Sequence, residues 1–162
     1  MLLLNHHPDY RAALDPADTA TLGLEGEAAA ERYLAHRGNA ETPLHALPAL
    51  AAELGVGALH IKDEGFRLGL GSFKALGGAY AVTRLVLEEA ARQSGRAFGV
   101  ADLHTPEVRA VAGRMTFACA TDGNHGRSVA QGAALVGARS AVFVHAGVSD
   151  ARVAAIAASA QT

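Results

Sequence analysis

Two short stretches carry most of the residues able to do chemistry. The first is Gly69-Leu70-Gly71-Ser72-Phe73-Lys74-Ala75-Leu76-Gly77-Gly78. Its glycines mark a turn that leaves the apolar run Ala58-Leu59-His60-Ile61, and Ser72 is a good helix N-cap. Lys74 then falls in the first helical turn, where unpaired N–H groups and the helix dipole make the surroundings positive. Partial desolvation by Phe73 and the glycine turn would act in the same direction. Both effects favour the neutral amine, which is the form that serves as a nucleophile or a base. Schiff-base formation with a carbonyl compound is the natural chemistry. The alternative is a solvated helix lysine, the ordinary fate of this residue type.

The chain contains only two lysines, Lys62 and Lys74, so a covalently held carbonyl group has two candidate partners. Lys62 continues the preceding strand and is followed by Asp63 and Glu64, a setting that suits an ion pair. Lys74 is the expected nucleophile.

The second stretch is Thr121-Asp122-Gly123-Asn124-His125-Gly126, placed where a strand hands over to a helix. Such a turn offers free backbone N–H groups, glycines that allow close approach, and polar side chains at the C-terminal edge of a sheet. A carboxylate or a phosphate would fit there. Simple N-capping by Thr, Asp or Asn explains the same composition. Asp122 is unfavourable beside a bound anion unless the ligand also carries a cation, such as an extra ammonium group.

The elements that must position these stretches follow from periodicity and breakers. Residues 1–40 read as an N-terminal arm with an Asp15-Pro16 turn and a short helix over 25–36. An extended Thr42-Pro43-Leu44 leads to a helix over 48–54, closed by Gly55 and Gly57, and then a strand over 56–61. Residues 75–93 put Leu76, Tyr80, Val82, Leu85, Val86 and Ala90 on one helical face and charges on the other. Residues 94–113 form a polar connection with a short helix at 106–112. A strand over 116–120, the second turn, a helix over 125–135 stopped by Gly137, a strand over 141–145 and a helix from 149 complete the pattern. Strand, glycine turn, helix and strand make a βαβ unit, so an α/β fold with a parallel sheet and flanking helices is expected.

Composition narrows the partners. The 162 residues are 50% hydrophobic and 19% charged, with net charge -2 and a sequence pI of about 6.4. No basic run is present, which disfavours nucleic acid, and no apolar stretch is long enough to span a membrane. The single cysteine, Cys119, leaves no internal disulfide and reads as a small buried hydrophobe. A cytoplasmic location is expected. The eight histidines show no metal-ligand spacing, so no metal is expected.

Together the two stretches resemble the fold-type II pyridoxal-phosphate enzymes, the tryptophan synthase β-like group. In that family a Ser-Phe-Lys turn carries the Schiff-base lysine, matching Ser72-Phe73-Lys74. A Ser/Thr-x-Gly-Asn-His turn binds the substrate carboxylate, matching Thr121, Gly123, Asn124 and His125. Thr42-Pro43-Leu44, Lys62-Asp63-Glu64, Phe66-Arg67, Gly69-Leu70, Leu76-Gly77-Gly78 and Thr121-Asp122-Gly123-Asn124-His125-Gly126-Arg127 resemble the diaminopropionate ammonia-lyase branch, from about residue 40 onward. The resemblance implies pyridoxal 5'-phosphate as cofactor, with Lys74 catalytic and cofactor-bound, Asn124 meeting the cofactor's 3'-oxygen, and Phe73 near its ring or packed in the core. It implies a small amino-acid substrate held by Thr121, Asp122, Gly123 and His125, with Asp122 contacting the extra amine or acting as a base. The implied reaction is α,β-elimination of 2,3-diaminopropionate to pyruvate and ammonia. A serine/threonine dehydratase-like enzyme and a non-catalytic remnant are the alternatives.

The same resemblance implies a division into 41–93, the first part of a large cofactor-binding domain, and 94–162, a βαβ part of a small domain. Family members are longer, and their later portion supplies the phosphate loop and the partner of the pyridine nitrogen. The chain is therefore expected to be the front part of a longer product, incomplete or inactive alone and a homodimer in its full-length form.

Overall fold

The structure is a computed structural model that describes residues 4–160. Its first elements are α1 (Pro16–Leu22) and α2 (Leu24–His36). The Asp15-Pro16 pair, read as a turn from sequence, is a helix start: Asp15 Oδ1 accepts the Asp18 N–H at 2.8 Å and Pro16 occupies the first turn, where its missing N–H costs nothing. Tyr33 of α2 is 1% exposed and meets Tyr80 with ring centroids 5.1 Å apart. The arm is thus fastened to the body through an aromatic pair.

Two short strands, β1 (Leu44–Ala46) and β2 (His60–Lys62), flank α3 (Pro48–Leu54). Gly55 closes α3 in the left-handed region, at φ 66°, where a side chain would be strained. The strand expected over 56–61 is confined to its last residues, and it lies outside the parallel sheet. Instead β2 pairs antiparallel with β1, Leu44 facing Lys62 and Ala46 facing His60. An interior parallel strand is buried on both faces, and His60 and Lys62 are too polar for that position. All residues of both strands are exposed.

This ribbon feeds a tight polar junction. Glu64 Oε1 accepts from Thr42 Oγ1 and Arg67 Nη2, both at 2.8 Å, and Oε2 accepts from Arg67 Nε at 2.7 Å. Arg67 also donates through Nη1 to the Ala40 carbonyl at 3.0 Å and to the Asn39 side chain. The Arg67 hydrogen bonds, with that of Thr42, hold the Glu64 carboxyl down to about 2. The ion pair expected between Lys62 and its neighbouring carboxylates is not formed. Lys62 Nζ donates to the Thr42 carbonyl, Asp63 accepts the Gly65 N–H, and Glu64 turns to Arg67. The junction fixes where the chain leaves β2 for the Lys74 turn.

The second half contains α4 (Gly78–Ser94), α5 (Pro106–Ala112), β3 (Thr116–Ala120), α6 (Asn124–Val136), β4 (Arg139–Phe143) and α7 (Asp150–Ser159). β3 and β4 are parallel, in register from Thr116 opposite Arg139 to Ala120 opposite Phe143, with α6 as the crossover helix. The expected βαβ unit is present. Gly137 stops α6 at φ 78°. Val82 and Val86 of α4, Val108 of α5, and Val129 and Val136 of α6 form the core, closed by Leu103. Cys119 on β3 packs against this core, and burial pushes its thiol up. Among the described residues no helix is long and apolar enough to cross a membrane.

α4 and α6 cross at backbone contact. A Cβ on Gly132 would lie 2.6 Å from the Ala79 Cα, and one on Gly78 would lie 2.9 Å from the Ser128 Cβ. Neither neighbour is the end of a flexible chain, so the helices would have to separate. Gly132→Ala is therefore expected to lower stability: overpacking costs about 1–3 kcal/mol, against a helix-propensity gain of at most about 1 kcal/mol, read as a lower urea midpoint. Glu64 gives a pH signature. Its folded carboxyl titrates below the unfolded one, so its contribution is complete above the unfolded value and disappears as pH falls toward about 2. The melting temperature should drop over that acid range, and the drop should be shallower in Glu64→Gln.

Candidate active site

Lys74 does not begin the long helix. It lies in a separate single 3-10 turn, Phe73–Leu76, capped by Ser72, whose Oγ accepts the Lys74 N–H at 3.3 Å. The reason for the interruption is Ser128 of α6. Its hydroxyl donates to the Lys74 carbonyl at 2.7 Å and accepts the Ala79 N–H at 3.0 Å. In an unbroken α-helix the Lys74 carbonyl would take the Gly78 N–H, and the Ala79 N–H would go to Ala75. The serine hydroxyl occupies that break instead, and Gly77-Gly78 gives it room.

The desolvation expected of Phe73 is absent. Phe73 is 59% exposed, Lys74 is exposed, and the ammonium lies 4.9 Å from the Phe73 ring centroid. Phe73 therefore contributes a cation–π contact rather than core packing. Among the described residues no carboxylate pairs with Lys74. Of the two lysines, Lys62 is tied to a carbonyl and Lys74 keeps a free amine.

The second stretch forms the turn from β3 into α6. Thr121 Oγ1 accepts the Gly123 N–H at 3.2 Å, which leaves it unavailable to the helix. No side chain caps α6, and its first turn holds no acidic residue. N-capping, the ordinary explanation of this composition, is not what these residues do. The first N–H groups of α6 remain open to an anion. Gly126 is required by space: a Cβ there would lie 2.4 Å from Thr121 Cγ2 and 2.8 Å from Val142 Cγ1. Asp122, Asn124 and His125 are exposed.

Asp122, Gly123, Asn124 and Arg127 line one side of a cleft of about 380 Å³, and Ala151, Arg152 and Ala155 of α7 line the other. Arg127 spans its floor, with Nε toward Ser159 Oγ at 3.4 Å and Nη1 toward Asn124 Oδ1 at 3.5 Å. Lys74, Phe73, Thr121 and His125 are not part of its lining. The two stretches meet through α6 itself. Asn124 and Ser128 are four residues apart, hence on one helix face and separated by about 6 Å of rise. Ser128 grips the Lys74 peptide, so the lysine turn lies one helical turn from Asn124.

From sequence, Ser128 and Arg127 carry no assigned role, and Glu64 is placed beside Lys62 rather than with Thr42 and Arg67. A signal for Ser128 existed: a small polar residue on the apolar face of α6, opposite a Gly-Gly pair. The Glu64–Arg67 spacing of three residues likewise suits a local ion pair.

Comparison with known proteins shows which family shares this sequence and fold. A family model described as "Pyridoxal-phosphate dependent enzyme" matches residues 36–161. Diaminopropionate ammonia-lyase of Salmonella typhimurium is 43% identical over 110 residues, covering 68% of this chain and 27% of the relative. The Escherichia coli protein of the same name is 40% identical over 116 residues, covering 71% of this chain and 28% of the relative. Among solved structures, Escherichia coli diaminopropionate ammonia lyase in complex with D-serine superposes with TM-score 0.67 and 36% identity, covering 83% of this chain and 34% of that one. Its holo form gives TM-score 0.67 with 33% of that chain covered. The chain spans about a quarter to a third of the length of these relatives. With the family model matched along most of its length, through both the lysine turn and the Asn124 turn, this chain belongs to the pyridoxal-phosphate dependent enzymes.

Proposed function

We propose that the chain contributes the lysine and carboxylate-binding parts of a pyridoxal-phosphate-dependent ammonia-lyase acting on 2,3-diaminopropionate. The observation that carries this reading is that Ser128 holds the Lys74 backbone carbonyl one helical turn from the uncapped, anion-receptive start of α6, while the Lys74 amine stays outside any ion pair among the described residues. The relatives, diaminopropionate ammonia-lyases by name, supply the substrate class.

The residues present fit the cofactor. An aldehyde needs an unpaired amine, and Lys74 has one while Lys62 does not. When bound, the cofactor supplies an aldehyde that takes up amines and a ring that accepts an electron pair. Lys74 would hold it covalently and, once displaced by the substrate amine, receive the α-proton at Nζ. Asn124 would meet the 3'-oxygen. Thr121, Gly123 and His125 would border the substrate carboxylate, with the His125 N–H in the uncapped first turn of α6 open to it while the Thr121 and Gly123 N–H groups are already donated to the Phe143 carbonyl and to Thr121 Oγ1. Asp122 would face the extra ammonium, where its charge is favourable, or serve there as a base. Phe73, exposed beside the amine, would border the ring. A homodimer in the full-length form and a cytoplasmic setting belong to this proposal.

Two measurements test it. Incubation with pyridoxal 5'-phosphate, borohydride reduction and peptide mapping should place label on Lys74 several-fold above Lys62, and Lys74→Ala should lose that label. Equal labelling of the two lysines would overturn the cofactor assignment. Any turnover of 2,3-diaminopropionate by an enzyme containing this chain should release two molecules of ammonia per pyruvate, and Asp122→Asn should lower it by about 10²–10⁴-fold, the usual range for losing an acid–base group. One ammonia per pyruvate, from serine or threonine, would assign a dehydratase instead.

A further inference from the structure

The most constrained polar group beside the site is the Ser128 hydroxyl, which is fully buried and used in both directions. It donates to the Lys74 carbonyl and accepts the Ala79 N–H, joining three segments: the lysine turn, the start of α4 and the helix that begins at Asn124. The Lys74 turn has little else of this kind. Its own hydrogen bonds are the Ser72 cap at 3.3 Å and the bonds from Ala75 to Ser72 and from Gly77 to Lys74, at 3.3 and 3.2 Å. These are long and local, and none refers the turn to α6. Phe73 and Lys74 lie in solvent, and the one fully buried side chain of the turn is the Ala75 methyl, which anchors it by volume but makes no directional bond to α6.

We propose that Ser128 is a positioning residue for Lys74, its hydroxyl setting the height of the lysine turn against the helix that carries Asn124. The inference rests on the reading of Lys74 as the cofactor-bearing amine. A bare packing role would need only volume at this position. Alanine nearly fills that volume, yet it would leave the Lys74 carbonyl and the Ala79 N–H without their shared partner. The turn would then be held only by the Ala75 packing and its own local bonds, and could shift along α6. A lysine reaching for a ring held by Asn124 would lose its register, while its exposure to small reagents would stay as it was.

The presence of one other lysine makes this measurable as a ratio within a single chain. The wild-type chain and Ser128→Ala are treated with pyridoxal 5'-phosphate and borohydride, and in parallel with a small neutral acylating reagent, and the labels on Lys74 and Lys62 are counted by peptide mapping. In Ser128→Ala the cofactor-dependent Lys74:Lys62 ratio should fall about tenfold, the scale of one lost hydrogen bond to a placed group. The acylation ratio should not change. Val108→Ala, a core substitution remote from the turn, is run at a temperature where both variants are folded and should keep the wild-type ratio despite a lower melting temperature. A cofactor ratio preserved in Ser128→Ala would overturn the positioning role and leave the cofactor assignment standing. A fall of the same size in Val108→Ala would also overturn it, because loss of stability alone would then suffice. No Lys74 preference in the wild-type chain would overturn the cofactor assignment and this inference with it.

Discussion

The backbone-to-backbone crossing of α4 and α6 is the constraint on which the rest of the molecule depends. Gly78 and Ala79 on one side and Ser128 and Gly132 on the other leave no space for a larger side chain. That closeness does two things at once. It seals the valine core formed by Val82, Val86, Val129 and Val136, and it brings a serine hydroxyl within bonding distance of a break in the opposite helix. Packing and site geometry are therefore one arrangement.

The consequence for electrostatics is a division of labour between backbone and side chain. Lys74 is held by its carbonyl and its N–H, which leaves its ammonium outside any ion pair among the described residues. The neighbouring charges are arranged differently. Glu64 and Arg67 are committed to each other and to Thr42, and Lys62 to the Thr42 carbonyl, a network that stiffens the approach to the turn and ties up the competing amine. At the other stretch, Thr121 satisfies its own turn and leaves the start of α6 open. A cation-bearing carboxylic acid suits the combination of open N–H groups with exposed Asp122.

Much of this was readable from the residues. The helices over 48–54 and 106–112 and the strand over 116–120 match the observed bounds, because proline, glycine and hydrophobic period agree at each of them. Both chemical stretches stand at the strand-to-helix or turn-to-helix positions that their composition indicates. What failed depended on distant partners. The break between the Lys74 turn and α4 could not be seen locally, since it is created by a hydroxyl from another helix. The same holds for the antiparallel pairing of β2, which its polar residues allow only at an exposed edge, and for the desolvation of Lys74 expected from Phe73, whose ring the fold leaves exposed.

The serine bond also has a temporal side. Donor and acceptor are separated by 54 residues, so during synthesis the lysine turn emerges well before the helix that anchors it. At ordinary elongation rates of roughly 5–20 residues per second that interval is about 3–11 s. Throughout it the Lys74 turn lacks its hydroxyl partner, and it takes its place against α6 only after α6 has left the ribosome.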